Sequence, residues 1–199
     1  MLEVSKPKTN GRKVLMLLAI IFVLPFTIAA TLHMLDLHPK GHSYGELISP
    51  PKKLSFVNLR EKDGKDLSSE QWLKVWSIVM VDNAGCQSNC QAQAHVIKQV
   101  HTSLGKEYNR IQRVLIVPSD IAASDLNVIK QDNPKLKIVA NKDEQTLKFA
   151  RQFGDFSESA GQIYLIDPLG NLMMTYTKGY DPKGLRSDLT RLLKNSWAG

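Results

Sequence analysis

"WSIVMVDNAGCQSNCQAQAHVIKQVHTSLG", Trp76 to Gly105, is the stretch whose reading decides the fold. Trp76–Asn83 is an almost continuous apolar and β-branched run, the pattern of a strand buried on both faces of a sheet covered by helices. From Cys90 onward Ala94, Ile97, Val100 and Leu104 recur at helical spacing, and Gly105 offers a C-terminal cap. The only two cysteines of the chain, Cys86 and Cys90, fall at the junction. The spacing predicts a strand, a cysteine turn and a helix.

Downstream, "RVLIVP" (Arg113–Pro118) is a second buried strand, so the unit is expected to close as a right-handed parallel crossover. That places the cysteines on the carboxyl edge of the sheet, where sites in such folds gather. Next come a helix over Asp120–Lys130, a short strand over Lys135–Ala140, and a helix containing Leu147, Phe149, Ala150 and Phe153, ended by Gly154. These three read as an insertion. "GQIYLIDPLGNLMMTYTKG" is an antiparallel hairpin turning at Asp167-Pro168 and Gly170-Asn171, which gives Asp167 and Pro168 a conformational rather than a catalytic reading. Asp181 as N-cap and Pro182 at the first helical position start a last helix, with Leu185, Leu189, Leu192 and Leu193 on one face.

Upstream, "LSFVNLREKDGKDLSS" reads as a strand, a turn at Asp63-Gly64 and a short return. Trp72 and Trp76 are expected to be packing residues. The order βαβ(αβα)ββα implies an α/β chain of thioredoxin-like class, a three-layer α/β/α arrangement on a mixed sheet. Its domain is expected over residues 54–199, behind a linker over residues 36–53 that holds two Gly and three Pro.

Val14–Leu35 is 22 residues without a formal charge, and about 20 apolar residues span a bilayer. Residues 14–35 are therefore read as an N-terminal transmembrane anchor. Lys6, Lys8, Arg12 and Lys13 against Glu3 assign residues 1–13 to the cytoplasm and the domain to the far side, which in a bacterium means the inner membrane and periplasm. A cleaved signal peptide, with Val14–Leu24 as its apolar core and Ile28–Ala30 as its small-residue site, is the competing reading. The apolar run continues past that core, which favours the anchor.

The net charge is +7, and residues 36–199 hold 22 Lys and Arg against 18 Asp and Glu, a net of +4. That excess is scattered, without a basic stripe interleaved with aromatics, so nucleic acid is not an expected partner. Nucleotide-binding glycine patterns, Ser-His-Asp arrangements and metal-protease motifs are missing.

Four residues of helix put Cys86 and Cys90 Cα atoms roughly 6 Å apart, within the span of a disulfide. With a helix starting at or just after Cys86, a thiolate there sits at the positive end of the macrodipole, making Cys86 the expected attacking sulfur and Cys90 its partner. Two thiolates are also soft ligands for copper(I), which wants a third donor such as imidazole. His33 belongs to the membrane segment, and His38 and His42 to the linker. His95 projects from the helix toward solvent, while His101 shares the apolar face. A structural disulfide is the plain alternative.

"FVNLREKDGKDLSSEQWL", "CQSNC", "VLIVPSD" and "YLIDPLGNL" together resemble the Sco/SenC family of cytochrome c oxidase assembly proteins, over about Leu54 to Leu193. The resemblance implies a thioredoxin-like domain, a CxxxC dithiol acting in redox or copper chemistry, and a partner that is an oxidase subunit or another assembly factor. The family's third copper ligand is a histidine five residues ahead of the tyrosine of "YLIDP"; counting back from Tyr164 gives Ser159. Gln87 and Gln91 likewise replace the family's prolines. Three readings follow from different classes. The first is a thiol–disulfide redox partner using Cys86 and Cys90. The second is a copper(I) chaperone completing its site with His95, a Met or a client residue. The third is a docking module with a structural disulfide. The missing histidine ranks redox or docking above copper carriage.

Overall fold

The computed structural model describes residues 11–35, 43–83, 86–154 and 161–196. It divides into two compact units, residues 1–42 and 43–199.

The first unit is helix α1 (Gly11–Met34), long and apolar enough over Gly11–Leu32 to cross a membrane. Its apolar side chains are exposed, as lipid-facing side chains are. Pro25 lies inside it. Nearby hydroxyls bond back to the helix, Thr27 Oγ1 to the Leu24 carbonyl and Thr31 Oγ1 to the Thr27 carbonyl, each at 2.9 Å.

The second unit runs β1 (Glu46–Lys53), β2 (Leu59–Arg60), β3 (Asp66–Leu67), β4 (Trp76–Val81), α2 (Ser88–Thr102), β5 (Ile111–Val117), α3 (Ala123–Asp132), β6 (Lys137–Ala140), α4 (Glu144–Ala150), β7 (Ile163–Ile166), β8 (Asn171–Tyr176) and α5 (Pro182–Asn195). The main sheet has the order β1-β8-β7-β4-β5-β6. β4, β5 and β6 are mutually parallel neighbours; β7 runs antiparallel to β4 and β8 to β7. All six residues of β4 are buried, as its almost continuous apolar run requires of a central strand.

Alternate residues of the strands feed two cores. Ile78, Met80, Leu115, Val117 and Leu165 meet α2, α3 and α5 on one face. On the other, Val79, Val81, Ile116 and Tyr164 meet the segment after α4 and an aromatic group of Trp72, Phe56 and Phe149, with Trp72 and Phe149 centroids 5.2 Å apart. Trp72 and Trp76 are both packing residues. The result is the mixed-sheet, three-layer thioredoxin-like architecture that the element order implied.

Two expectations are corrected. β6 pairs in register with β5, so the segment read as an insertion extends the sheet. Residues 46–53, read as linker, form edge strand β1 against β8. Pro50 and Pro51 hid it, because proline cannot donate to a ladder and is tolerated at an edge; the pairing shifts register between Leu47 and Lys52, where the prolines sit. Just before β1, the buried Asp188 of α5 accepts from Tyr44 N at 2.8 Å, Gly45 N at 3.0 Å and Tyr176 Oη at 3.1 Å. Gly184 lets this clasp close, since a Cβ there would stand 2.6 Å from the Tyr44 ring.

Candidate functional site

Strand β4 ends at Val81, and Asp82 N–H still bonds the Ile116 carbonyl at 3.0 Å, holding the following loop to the sheet edge. The Asp82 carboxylate then accepts from Cys86 N–H at 3.0 Å. Cys86 has φ +56, a left-handed conformation that costs an L-residue roughly 1–2 kcal/mol. Helix α2 begins at Ser88, with Gln87 as an N-cap that gives no side-chain hydrogen bond. The helix thus starts just after Cys86, as the sequence suggested, but Cys86 stays outside it and Cys90 is the cysteine inside its first turn. The left-handed residue folds the chain back, and the two Cα atoms lie 4.9 Å apart, joined by a Cys86–Cys90 disulfide. Gln91 bonds through Nε2 to the Cys86 carbonyl at 3.4 Å and to Asp125 Oδ1 at 3.0 Å.

Both cysteines are buried, but their surroundings differ. Cys86 is 0% exposed and Cys90 4%. Cys90 lines a cavity of about 450 Å³ between the start of α2 and the loop before α5; Cys86 does not. Gln87, Asn89 and Gln93 come from the α2 side, with Lys178 and Tyr180 opposite. Gly179, at φ +85, makes the turn that presents these last two. Burial pushes the Tyr180 phenol up to about 12, so it stays neutral, and its hydroxyl has no hydrogen-bond partner among the described residues. The sequence gives no local signal for this wall, because it is assembled from residues about 90 positions apart.

The candidate third ligands lie elsewhere. His95 Nδ1 faces Asp132 Oδ2 at 2.9 Å and its Nε2 faces Gln99 at 2.8 Å. His101 is buried at the other end of α2, about 16 Å along the axis from Cys90. It stacks on Tyr108 with centroids 3.9 Å apart, and its Nε2 meets the Tyr108 carbonyl at 2.7 Å. Burial, opposed by that hydrogen bond, pushes its pKa down to about 4. Ser159, His38 and His42 lie outside the described residues. Among the described residues no group of three or more His, Cys, Asp or Glu side chains converges on a metal position. The described donor set therefore does not fit a Cys2His copper site: the sulfurs are bonded to each other, His95 is bonded through both nitrogens to Asp132 and Gln99, and His101 lies at the far end of α2. Asp167, the other residue singled out in sequence, accepts from Leu169 N at 2.9 Å and Asn171 N at 2.7 Å, so its role is to shape the hairpin turn.

Comparison with solved structures finds the same fold in Sco proteins and in a thiol:disulfide interchange protein. Yeast Sco1 with copper bound superposes with a TM-score of 0.64 at 16% identity, over 74% of this chain and 96% of that one. BsSco, a member of the Sco family of cytochrome c oxidase assembly proteins in which a disulfide switch was identified, gives 0.57 at 13% identity, over 76% and 100%. A thiol:disulfide interchange protein from Bacteroides sp. gives 0.56 at 13% identity, over 75% and 93%. No curated protein matches by sequence. The family model that matches is the transmembrane-like, thioredoxin-like, C-terminal domain, over residues 76–196. That span takes in β4, the cysteine turn, the core under α2, α3 and α5, and α5 itself, and the chain belongs to this thioredoxin-like family.

Proposed function

We propose that this protein is a membrane-anchored thiol–disulfide redox partner in cytochrome c oxidase assembly, its domain facing the periplasm and its Cys86–Cys90 pair cycling between dithiol and disulfide. One observation supports this above the rest: the disulfide sits at the carboxyl edge of the central strand, and Cys90 lines a cavity. A purely structural staple needs no such access. The Sco likeness supplies the setting, and the oxidase subunit or assembly factor that the pair would serve is the expected partner. The basic flank of α1 supports a cytoplasmic N-terminus.

Redox titration of the purified chain against thiol–disulfide buffers tests the reading. A reactive pair is expected above about −300 mV, whereas a structural bond titrates below it and would turn the reading to a docking module.

Copper(I) delivery is the second reading, favoured by the copper-bound Sco likeness. Here copper would be cargo, held by the reduced sulfurs and a third donor from the client. Titrating the reduced chain with copper(I), before and after Cys86→Ser, decides it: a stoichiometric site lost in the variant is what that reading needs.

A further inference from the structure

The redox reading leaves open which sulfur meets the client. The geometry points to Cys90 as the exchanging sulfur, with Cys86 as the internal one that never contacts a client directly. The inference rests on the redox reading and reverses the order expected from a helix starting at or just after Cys86.

Three observations carry it. Exchange is an in-line attack on one sulfur of a disulfide, so an incoming thiolate must approach that sulfur from the side away from its partner. Cys90 borders the cavity of about 450 Å³ and Cys86 is 0% exposed. Next, Cys90 is the third residue of α2, among amides that lack intrahelical acceptors and that the Gln87 side chain leaves uncapped. These N–H groups and the macrodipole stabilise a thiolate at Cys90. Cys86 instead has the Asp82 carboxylate bonded to its own N–H at 3.0 Å, a negative charge that opposes a second one. Finally, Cys86 is held from both sides, by Asp82 on its amide and by Gln91 Nε2 on its carbonyl at 3.4 Å. It is fixed as a resolving group must be.

The cavity wall narrows the client's chemistry. Gln87, Asn89 and Gln93 offer side-chain amides, Tyr180 a neutral hydroxyl and Lys178 a cation. Amide donors and acceptors around one cation suit a cysteine-bearing peptide segment with a neighbouring carboxylate. Starting from the disulfide, a client thiolate attacks Cys90 Sγ, forming a mixed disulfide while Cys86 leaves as thiolate and takes a proton. The client's second thiolate then attacks the client sulfur of that bond, closing the client disulfide and releasing Cys90. Two electrons pass from the client dithiol to the pair, and two protons follow. The reverse sequence reduces a client disulfide, with Cys86 resolving the Cys90 mixed disulfide.

The test uses the full chain in detergent. Reduced wild type, treated with substoichiometric iodoacetamide and mapped by peptide mass, is expected to label Cys90 over Cys86 by about tenfold. The single-cysteine variants C86S and C90S, exposed to glutathione disulfide and followed by intact mass, should show the same order. The preference should vanish in denaturant. In the C86S background, Asn89→Trp should slow glutathionylation of the folded chain about fivefold by obstructing the cavity. Equal labelling, or labelling led by Cys86, overturns the assignment even where the potential lies above about −300 mV; a potential below that value removes the redox reading itself. An unchanged rate in the Asn89→Trp variant overturns the cavity as the route.

Discussion

Helices α2 and α5 pack on the same face of the sheet and start beside the same cavity, yet their first turns are built in opposite ways. At α5, Asp181 accepts from Lys183 N at 3.0 Å and Gly184 N at 3.2 Å, and Pro182 fills the first position. At α2, Gln87 caps nothing and the residue before it is a cysteine at φ +56. One start has its amides satisfied and its backbone relaxed. The other leaves its amides open and holds local strain at a sulfur, which is where strain and unmet donors are useful to chemistry. On the proposed redox reading, the first helix end serves stability and the second serves reaction.

The largest expected effect lies on the stable side. Asp188 takes three donors, two from the backbone at Tyr44 and Gly45 and one from Tyr176. Asp188→Ala takes this acceptor from the buried Gly45 amide and Tyr176 hydroxyl and from the part-buried Tyr44 amide, and should lower stability by roughly 3 kcal/mol. Chemical denaturation checks this, with the alkylation order of the cysteines expected to be unchanged in the folded chain. A reversal of that order would join the two helix starts into one unit.

Next in size is the far end of α2. His101 is buried and neutral, its pKa pushed down to about 4 by burial, with Arg113 and Lys135 adding to the shift and the Tyr108 hydrogen bond opposing it. Below about pH 6.5 the unfolded chain takes up a proton that the folded chain refuses, so stability falls with pH until about pH 4. The loss across that window is about 3 kcal/mol. His101→Phe, which keeps the ring stack on Tyr108, should flatten it. Unfolding at a series of pH values in both proteins measures the difference. Equal slopes would mean that the stability at this end of α2 comes from elsewhere.

How far the sequence foretold these two ends differs for physical reasons. The start of α5 is legible because Asp followed by Pro is a local signal that capping geometry explains. β4, β5 and the hairpin of β7 and β8 are legible from almost continuous apolar runs. β1 is not, since prolines argue against a strand unless one knows that it lies at an edge. The cysteine turn is legible as a turn, but the conformation of Cys86 is not: a left-handed φ at a non-glycine residue runs against propensity. It goes with side-chain ties from Asp82 and Gln91, four and five residues away, the second anchored across to Asp125. The cavity was invisible because its walls, Gln87 to Gln93 and Lys178 to Tyr180, meet only through the packing of α2 on α5.

A smaller effect calibrates the capped start. Asp181→Ala removes the acceptor for two amides and should cost about 1 kcal/mol, read as a lower unfolding midpoint. Gly184, against the Tyr44 ring, lies in the same first turn, so a much larger loss would mean that the cap also holds the Tyr44 clasp.

The smallest effect is the most discriminating, because it makes α2 resemble α5. Gln87 already has extended backbone angles, φ −70 and ψ −168, as an N-cap needs. Gln87→Ser places a hydroxyl where it can accept from the amide of Asn89 or Cys90, and should raise stability by about 0.5–1 kcal/mol. That same hydrogen bond takes an open donor away from a thiolate at Cys90, so the alkylation rate of the reduced chain should fall about two- to threefold. Gln87→Ala, which offers no acceptor, should change neither quantity much. Stability and reactivity moving in opposite directions in the serine variant alone would mean that the open amides of α2 serve the sulfur. A serine variant that gains stability with its alkylation rate unchanged would instead make the uncapped start a neutral feature of the fold and leave the cavity to account for the reactivity of Cys90.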